Sequence, residues 1–125
     1  MIHGIGTDIV AVARMAEYWQ RHGERGLEKM LAPDERAACR TSPDPARFLA
    51  KRFAAKEALG KALGTGVRAP VLLPDIGVDH DELGKPFFTY APILAAHLAQ
   101  RGLTAHLSIS DERDYAVAFV ILEKS

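Results

Sequence analysis

The sequence predicts an α+β fold in which one long central helix packs on a mainly antiparallel sheet, and three observations carry that expectation. Residues 45–64, PARFLAKRFAAKEALGKALG, are rich in Ala, Leu, Lys and Arg over a length that suits a helix and not a strand. Beyond residue 75 the pattern changes to short apolar runs bounded by turn residues, as paired strands require. Strands flank helices without the strict alternation of a parallel sheet.

Taken in order, residues 2–10 read as a strand, with Gly4 and Gly6 permitting close backbone approach and the β-branched pair Ile9 and Val10 at its end. A helix follows from Ala11 to about His22, where Val12, Met15 and Trp19 recur at helical spacing and Gly23 is the stop. Short helical pieces fill residues 24–40. Ser42-Pro43-Asp44-Pro45 then breaks the chain and starts the long helix, which Gly64 closes. Residues 76–80 and 87–90 are strands around the turn Asp81-Glu82-Leu83-Gly84, and residues 91–100 form a short helix ended by Gly102. Residues 106–110 and 115–122 form a closing hairpin across a polar turn, its second strand apolar enough to be buried.

Composition bounds the rest. The chain has 125 residues, 48% hydrophobic and 26% charged, which suits one domain spanning residues 1–125 with a core that needs neither disulfides nor a structural metal. Lys and Arg balance Asp and Glu at 16 each, which argues against a dedicated nucleic-acid binder. The balance is uneven along the chain: residues 1–67 carry 11 basic against 8 acidic side chains, and residues 68–125 carry 5 against 8. The longest apolar run, residues 115–122, is far short of the roughly 18 residues of a membrane span. No basic leader precedes Asp8 and there is a single cysteine, Cys39, so a reducing, cytoplasmic setting is expected.

Several residues need a reason. At about 100° per residue, Phe48, Leu49, Phe53, Leu59 and Leu63 fill one arc of the long helix, the expected core face. Glu57 and Lys61 lie one turn apart on the other side, bordered by Ala50, Ala54 and Ala58, which would let another backbone or a ligand come close. An i,i+4 surface ion pair is the plain reading of Glu57 and Lys61. Arg52 and Lys56 point into the apolar arc, where each must snorkel to water or meet an anion. Asp8 sits among Ile5, Ile9 and Val10, either as an N-cap for the first helix or as a metal ligand. With Glu57 it would offer Mg²⁺ two oxygens, leaving positions for water and phosphate. Gly64-Thr65-Gly66 follows a helix C-terminus and matches no phosphate-loop pattern, so its plain role is a cap and turn, with close approach to a flat ligand as the second reading. The five histidines show no zinc spacing, and neither a serine-nucleophile motif nor a base partner for Cys39 is present.

Together, GIGTDIV, RFLAKRFAAKEALGKALGTG, DELGKP and HLSISDERDYAVAFVILE resemble the bacterial holo-acyl-carrier-protein synthases in order, spacing and length over essentially the whole chain. The resemblance implies a 4′-phosphopantetheinyl transferase that moves the phosphopantetheine arm of coenzyme A to a serine of acyl carrier protein, releasing adenosine 3′,5′-bisphosphate, for fatty acid biosynthesis. It implies that Asp8 and Glu57 bind Mg²⁺ and that Lys61 contacts the coenzyme A phosphates. Arg52, Gly64, Thr65, Gly66, Lys85, Pro86, His106 and Ser108 would border the nucleotide. A homotrimer with sites between subunits is implied too, giving the alanine-lined helix face and exposed strand edges something to meet. In one place the chain departs from the pattern: Asp111 stands where some relatives have histidine, as a substitute or as a turn residue. Acyl carrier proteins are acidic, so Arg14, Arg21 and Arg25 are the docking candidates. A Mg²⁺-dependent pyrophosphohydrolase would need similar groups but no carrier, and a binding module would need no metal.

Overall fold

The computed structural model describes residues 1–125, and its elements follow from local sequence signals. Strand β1 (Ile2–Ala11) runs directly into helix α1 (Val12–Met30), which breaks at Gly23, where φ is 55° and ψ is −139°. The expected stop at Gly23 is thus a kink. The chain resumes the helix because Leu27 and Met30 beyond the break bury against the core, and the Tyr18 hydroxyl donates across it to the Gly26 carbonyl at 2.9 Å.

Helix α2 (Pro33–Thr41) carries a proline and two acidic residues in its first turn. Helix α3 (Pro45–Leu63) starts where the Asp44 carboxylate accepts the Arg47 N–H and stops where Gly64 turns left-handed at φ 81°. A 3₁₀ turn (Leu73–Asp75) leads into the hairpin of β2 (Ile76–His80) and β3 (Pro86–Tyr90). Helix α4 (Pro92–Gln100) is followed by β4 (Leu103–Asp111) and β5 (Tyr115–Lys124), each longer than the sequence suggested because the hairpin register continues into its polar ends. The three-stranded antiparallel sheet has the order β1-β5-β4, with β2 and β3 forming a sheet of their own.

The core lies between α3 and one face of the larger sheet. Ala116, Ala118, Val120 and Leu122 of β5 and Gly6 and Val10 of β1 point that way, as period-2 alternation requires. The long helix is buried nearly all round: Leu49, Leu59 and Leu63 of the expected arc are buried in the core, and Phe48 and Phe53 pack against it from the edge. Phe48 and Phe53 are only half-buried, each beneath a guanidinium: Arg52 lies 4.2 Å from the Phe48 ring centroid and Arg14 lies 5.4 Å from that of Phe53. Ala50, Ala54, Ala58 and Ala62 lie inside the subunit, so the alanine-lined face is not free for a partner. What it meets is β1. A Cβ on Gly4 or Gly6 would collide with the carbonyl oxygen of Ala62 or Ala58, so helix and strand touch backbone to backbone.

The other face of the sheet is bare. Ile5, Ile9, Tyr115 and Phe119 are 58%, 61%, 51% and 42% exposed, so the apolar run of β5 is covered on one side only. No helix is long and apolar enough to cross a membrane.

Candidate active site

The close contact of α3 with β1 places Asp8 beside the helix. Asp8 shares the inward side of β1 with Gly4, Gly6 and Val10, opposite Ala118 of β5. It caps nothing: α1 begins behind Ala11 with no side-chain cap. Instead its Oδ1 accepts the Lys61 ammonium at 3.0 Å, and the same Nζ donates to the Thr7 carbonyl at 3.0 Å. The Asp8 side chain is 17% exposed and that of Lys61 is 54% exposed, so the pair joins a mostly covered carboxylate to an open ammonium.

Lys61 therefore does not pair with Glu57, the plain reading of their spacing. Glu57 lies one turn earlier on α3, half-buried. Burial raises its carboxyl above the usual range, the Asp8 charge raises it further, and Lys61 and Arg14 act in the opposite sense. The cluster is thus two mutually repelling carboxylates with one ammonium bonded to Asp8. No group of three or more His, Cys, Asp or Glu gathers anywhere; the oxygens of Asp8 and Glu57 are donors of the kind a hard divalent cation takes, two carboxylates with the other positions left to water or phosphate.

Arg52 and Lys56, the two cations aimed into the apolar arc, meet an anion that sequence reasoning missed. Glu35 of α2 is buried and takes Lys56 Nζ on Oε1 at 2.7 Å and Arg52 Nε on Oε2 at 3.0 Å. It also accepts the N–H groups of Ala32 and Val78, each at 2.9 Å, tying α2 and β2 to the long helix. Lys56 has no exposed surface, completes its bonding on the Met30 and Leu73 carbonyls at 2.8 and 3.1 Å, and is pushed down to about 8 by burial. Two inward-pointing cations on adjacent turns demand a carboxylate, which is the signal that could have found Glu35.

Arg52 still lines a cavity of about 320 Å³ with Arg47, Phe48, Lys51 and His80. Pro86 stands opposite His80 in the β2–β3 hairpin, with the exposed Lys85 just before it. Asp111 closes the neighbouring turn: its carboxylate takes Arg47 Nη1 at 3.1 Å and lies 3.9 Å from Lys51 Nζ, while Arg47 also donates to the Glu112 and Arg113 carbonyls at 2.6 and 2.8 Å. Asp111 is an ion-pair partner, not a bare turn residue.

Gly64-Thr65-Gly66 folds back on α3 one turn beyond Lys61, with the Gly66 N–H bonded to the Gly60 carbonyl at 3.0 Å. His106 and Ser108 stand opposite Ile121 and Phe119 on the bare side of the sheet, the side away from Asp8. The His106 ring meets Glu123 at 2.9 Å. One chain does not bring these two residues to the carboxylates.

Arg14, Arg21 and Arg25 are all exposed on α1. Arg14 and Arg21 rim a cavity of about 220 Å³ whose apolar lining includes Met15, Tyr18, Met30 and Phe53. Arg14 also acts on Glu57, so this basic and apolar cleft adjoins the carboxylate pair. Cys39 is buried and its thiol is pushed up to about 11, which removes it as a nucleophile.

Known proteins are similar to this chain in sequence and in fold. Over 123 residues, 98% of either chain, the sequence is 61% identical to a protein of Azoarcus sp. named holo-[acyl-carrier-protein] synthase. The crystal structure of holo-[acyl-carrier-protein] synthase from Neisseria meningitidis superposes with a TM-score of 0.95 at 46% identity, covering 99% of this chain and all of that one. A Bacillus anthracis holo-(acyl-carrier-protein) synthase in complex with CoA (3′,5′-ADP) superposes at 0.83 with 36% identity, covering 100% of this chain and 99% of that one. Residues 4–120 match the family model of the 4′-phosphopantetheinyl transferase superfamily, and with that match and those relatives the chain belongs to this family.

Proposed function

We propose that residues 1–125 act as a single phosphopantetheinyl transferase domain, moving the 4′-phosphopantetheine arm of coenzyme A to the serine of an apo acyl carrier protein. The observation that carries this reading is the Asp8, Glu57 and Lys61 cluster beside a basic, apolar cleft. Asp8 and Glu57 would hold Mg²⁺, which when bound supplies positive charge to the diphosphate oxygens. Lys61 adds a second positive charge against the diphosphate, and Gly64-Thr65-Gly66, one turn beyond, borders the nucleotide. The serine hydroxyl attacks the β-phosphorus of coenzyme A and the phosphoanhydride bond to the adenosine side breaks, so adenosine 3′,5′-bisphosphate leaves. The serine proton passes to Glu57 or to a water in the site.

Arg14, Arg21 and Arg25 steer the acidic carrier to the cleft, where Met15, Tyr18 and Phe53 offer apolar contact. Three copies of the chain assemble through the bare sheet face. That arrangement would bring His106 and Ser108 of one copy towards the carboxylates of the next, with Arg52, Lys85 and Pro86 bordering the nucleotide. It also gives Ile5, Ile9 and Phe119 a cover. Cytoplasmic fatty acid biosynthesis is the setting that goes with this activity.

Glu57→Gln keeps the size of the side chain and removes its charge. Holo-carrier formation, followed by mass spectrometry, should fall on the order of 10²-fold or more, because a charge that would hold the metal is lost. Turnover and metal response both unchanged in this variant would refute the assignment of Glu57.

A further inference from the structure

Lys61 occupies an unexpected position for a phosphate-binding lysine, since both of its bonds are to β1: Asp8 Oδ1 and the Thr7 carbonyl, each at 3.0 Å. Its partner carboxylate is mostly covered, whereas the lysine side chain is 54% exposed on a flexible stem. Any divalent cation held by Asp8 and Glu57 must share Asp8 with this ammonium. A +2 ion and a +1 ion on one carboxylate repel each other, and the mobile partner is the lysine.

We propose that Lys61 is an exchangeable counter-ion, held by Asp8 in the metal-free protein and released to the coenzyme A phosphates when a divalent cation takes Asp8. The inference rests on the reading of Asp8 and Glu57 as metal ligands. Charge counting gives it an order of events. The metal-free cluster sets two carboxylates against the Lys61 ammonium and the neighbouring Arg14 guanidinium, so it offers a diphosphate no positive surplus. With the cation bound the balance becomes positive, and Lys61 has lost its bond to Asp8 at the moment when a phosphate can use it. Metal binding thereby prepares the site for coenzyme A, and the two ligands strengthen one another through Lys61 as well as through their direct contact. Thr7 adds a geometric reason: its carbonyl holds the ammonium beside Asp8 in the waiting state, at a distance that an unpaired surface lysine would not keep.

The test is isothermal titration of Mg²⁺, with Mn²⁺ as a second probe, into the wild type, Lys61→Met, Lys61→Arg and Asp8→Asn, with and without coenzyme A and with no carrier present. Removing the competing cation should tighten metal binding in Lys61→Met about 10-fold in the absence of coenzyme A, within the usual range of coupling between sites. Lys61→Arg should stay near the wild type, and the strengthening of metal binding by coenzyme A should be smaller in Lys61→Met. Unchanged or weaker metal binding by Lys61→Met, together with a clear loss in Asp8→Asn, would overturn the exchange and leave the metal site standing. Equal binding by Asp8→Asn and wild type, or no binding by either, would overturn both. Lys61→Gln, tested alongside, separates loss of charge from any packing effect of the methionine.

Discussion

Glu35 satisfies more buried polar groups than any other single side chain in the molecule, taking two cations and two backbone N–H groups on its two oxygens. Glu35→Ala would leave Lys56 and Arg52 buried without their counter-charge and should destabilise the fold by about 3–5 kcal/mol, measured by urea unfolding. The sequence showed the need through Arg52 and Lys56 but not the answer, because Glu35 lies on another helix and looks like an ordinary first-turn acid. Glu57, in the next position after Lys56, acts in the opposite direction on stability. Its proton affinity is raised in the fold, so between about pH 4.5 and its folded value the native state binds more protons than the unfolded chain. Stability contributed by the protonated form is therefore present below this window and lost as pH rises through it. Glu57→Gln escapes that loss: in metal-free buffer its melting temperature should exceed that of the wild type at pH 7 and match it near pH 4. Identical pH profiles for the two proteins would show that Glu57 is not perturbed.

The decisive contact between elements is α3 on β1. Gly4 and Gly6 were legible as positions of close backbone approach, and the length and ends of the helix were legible from Asp44, Pro45 and Gly64. Which face approaches was not. A helical wheel weights Phe48 and Phe53 as core and treats alanine as filler, whereas the glycines of β1 select Ala58 and Ala62 because only small residues allow backbones to touch. The contact has a functional consequence, since it sets the distance from Asp8 to Glu57 and Lys61. Gly6→Ala would force the two elements apart and should cost about 1–3 kcal/mol of stability, typical of overpacking. The loss of transfer activity should be larger than that stability loss accounts for at a temperature where the variant is still folded. Full activity in a destabilised variant would mean that the site does not depend on this contact.

At the scale of the whole molecule, the sheet is finished on one side only. Ile5, Ile9, Tyr115 and Phe119 form an apolar surface next to His106 and Ser108, on the side opposite the carboxylates. The sequence marked residues 115–122 as apolar enough to bury, yet strand periodicity cannot tell whether the cover is the same chain or another copy. Phe119→Glu places a charge in the middle of this surface; if copies assemble through it as proposed, light scattering should show a trimer for the wild type and a monomer for the variant, with transfer activity lowered together with assembly. A trimer that persists in this variant would point to another interface. Asp8 was legible as an anomaly, a carboxylate in a strand, whereas Glu57 and Lys61 read plainly as a surface ion pair, and the meeting of Asp8 with Lys61 depends on tertiary structure. Phosphopantetheine transfer is read directly by intact-protein mass spectrometry of apo acyl carrier protein incubated with this protein, coenzyme A and Mg²⁺. The expected result is a mass gain of one phosphopantetheine group, absent without the enzyme and abolished by EDTA. A folded protein that leaves several apo carriers unmodified, or that only hydrolyses coenzyme A, would contradict it.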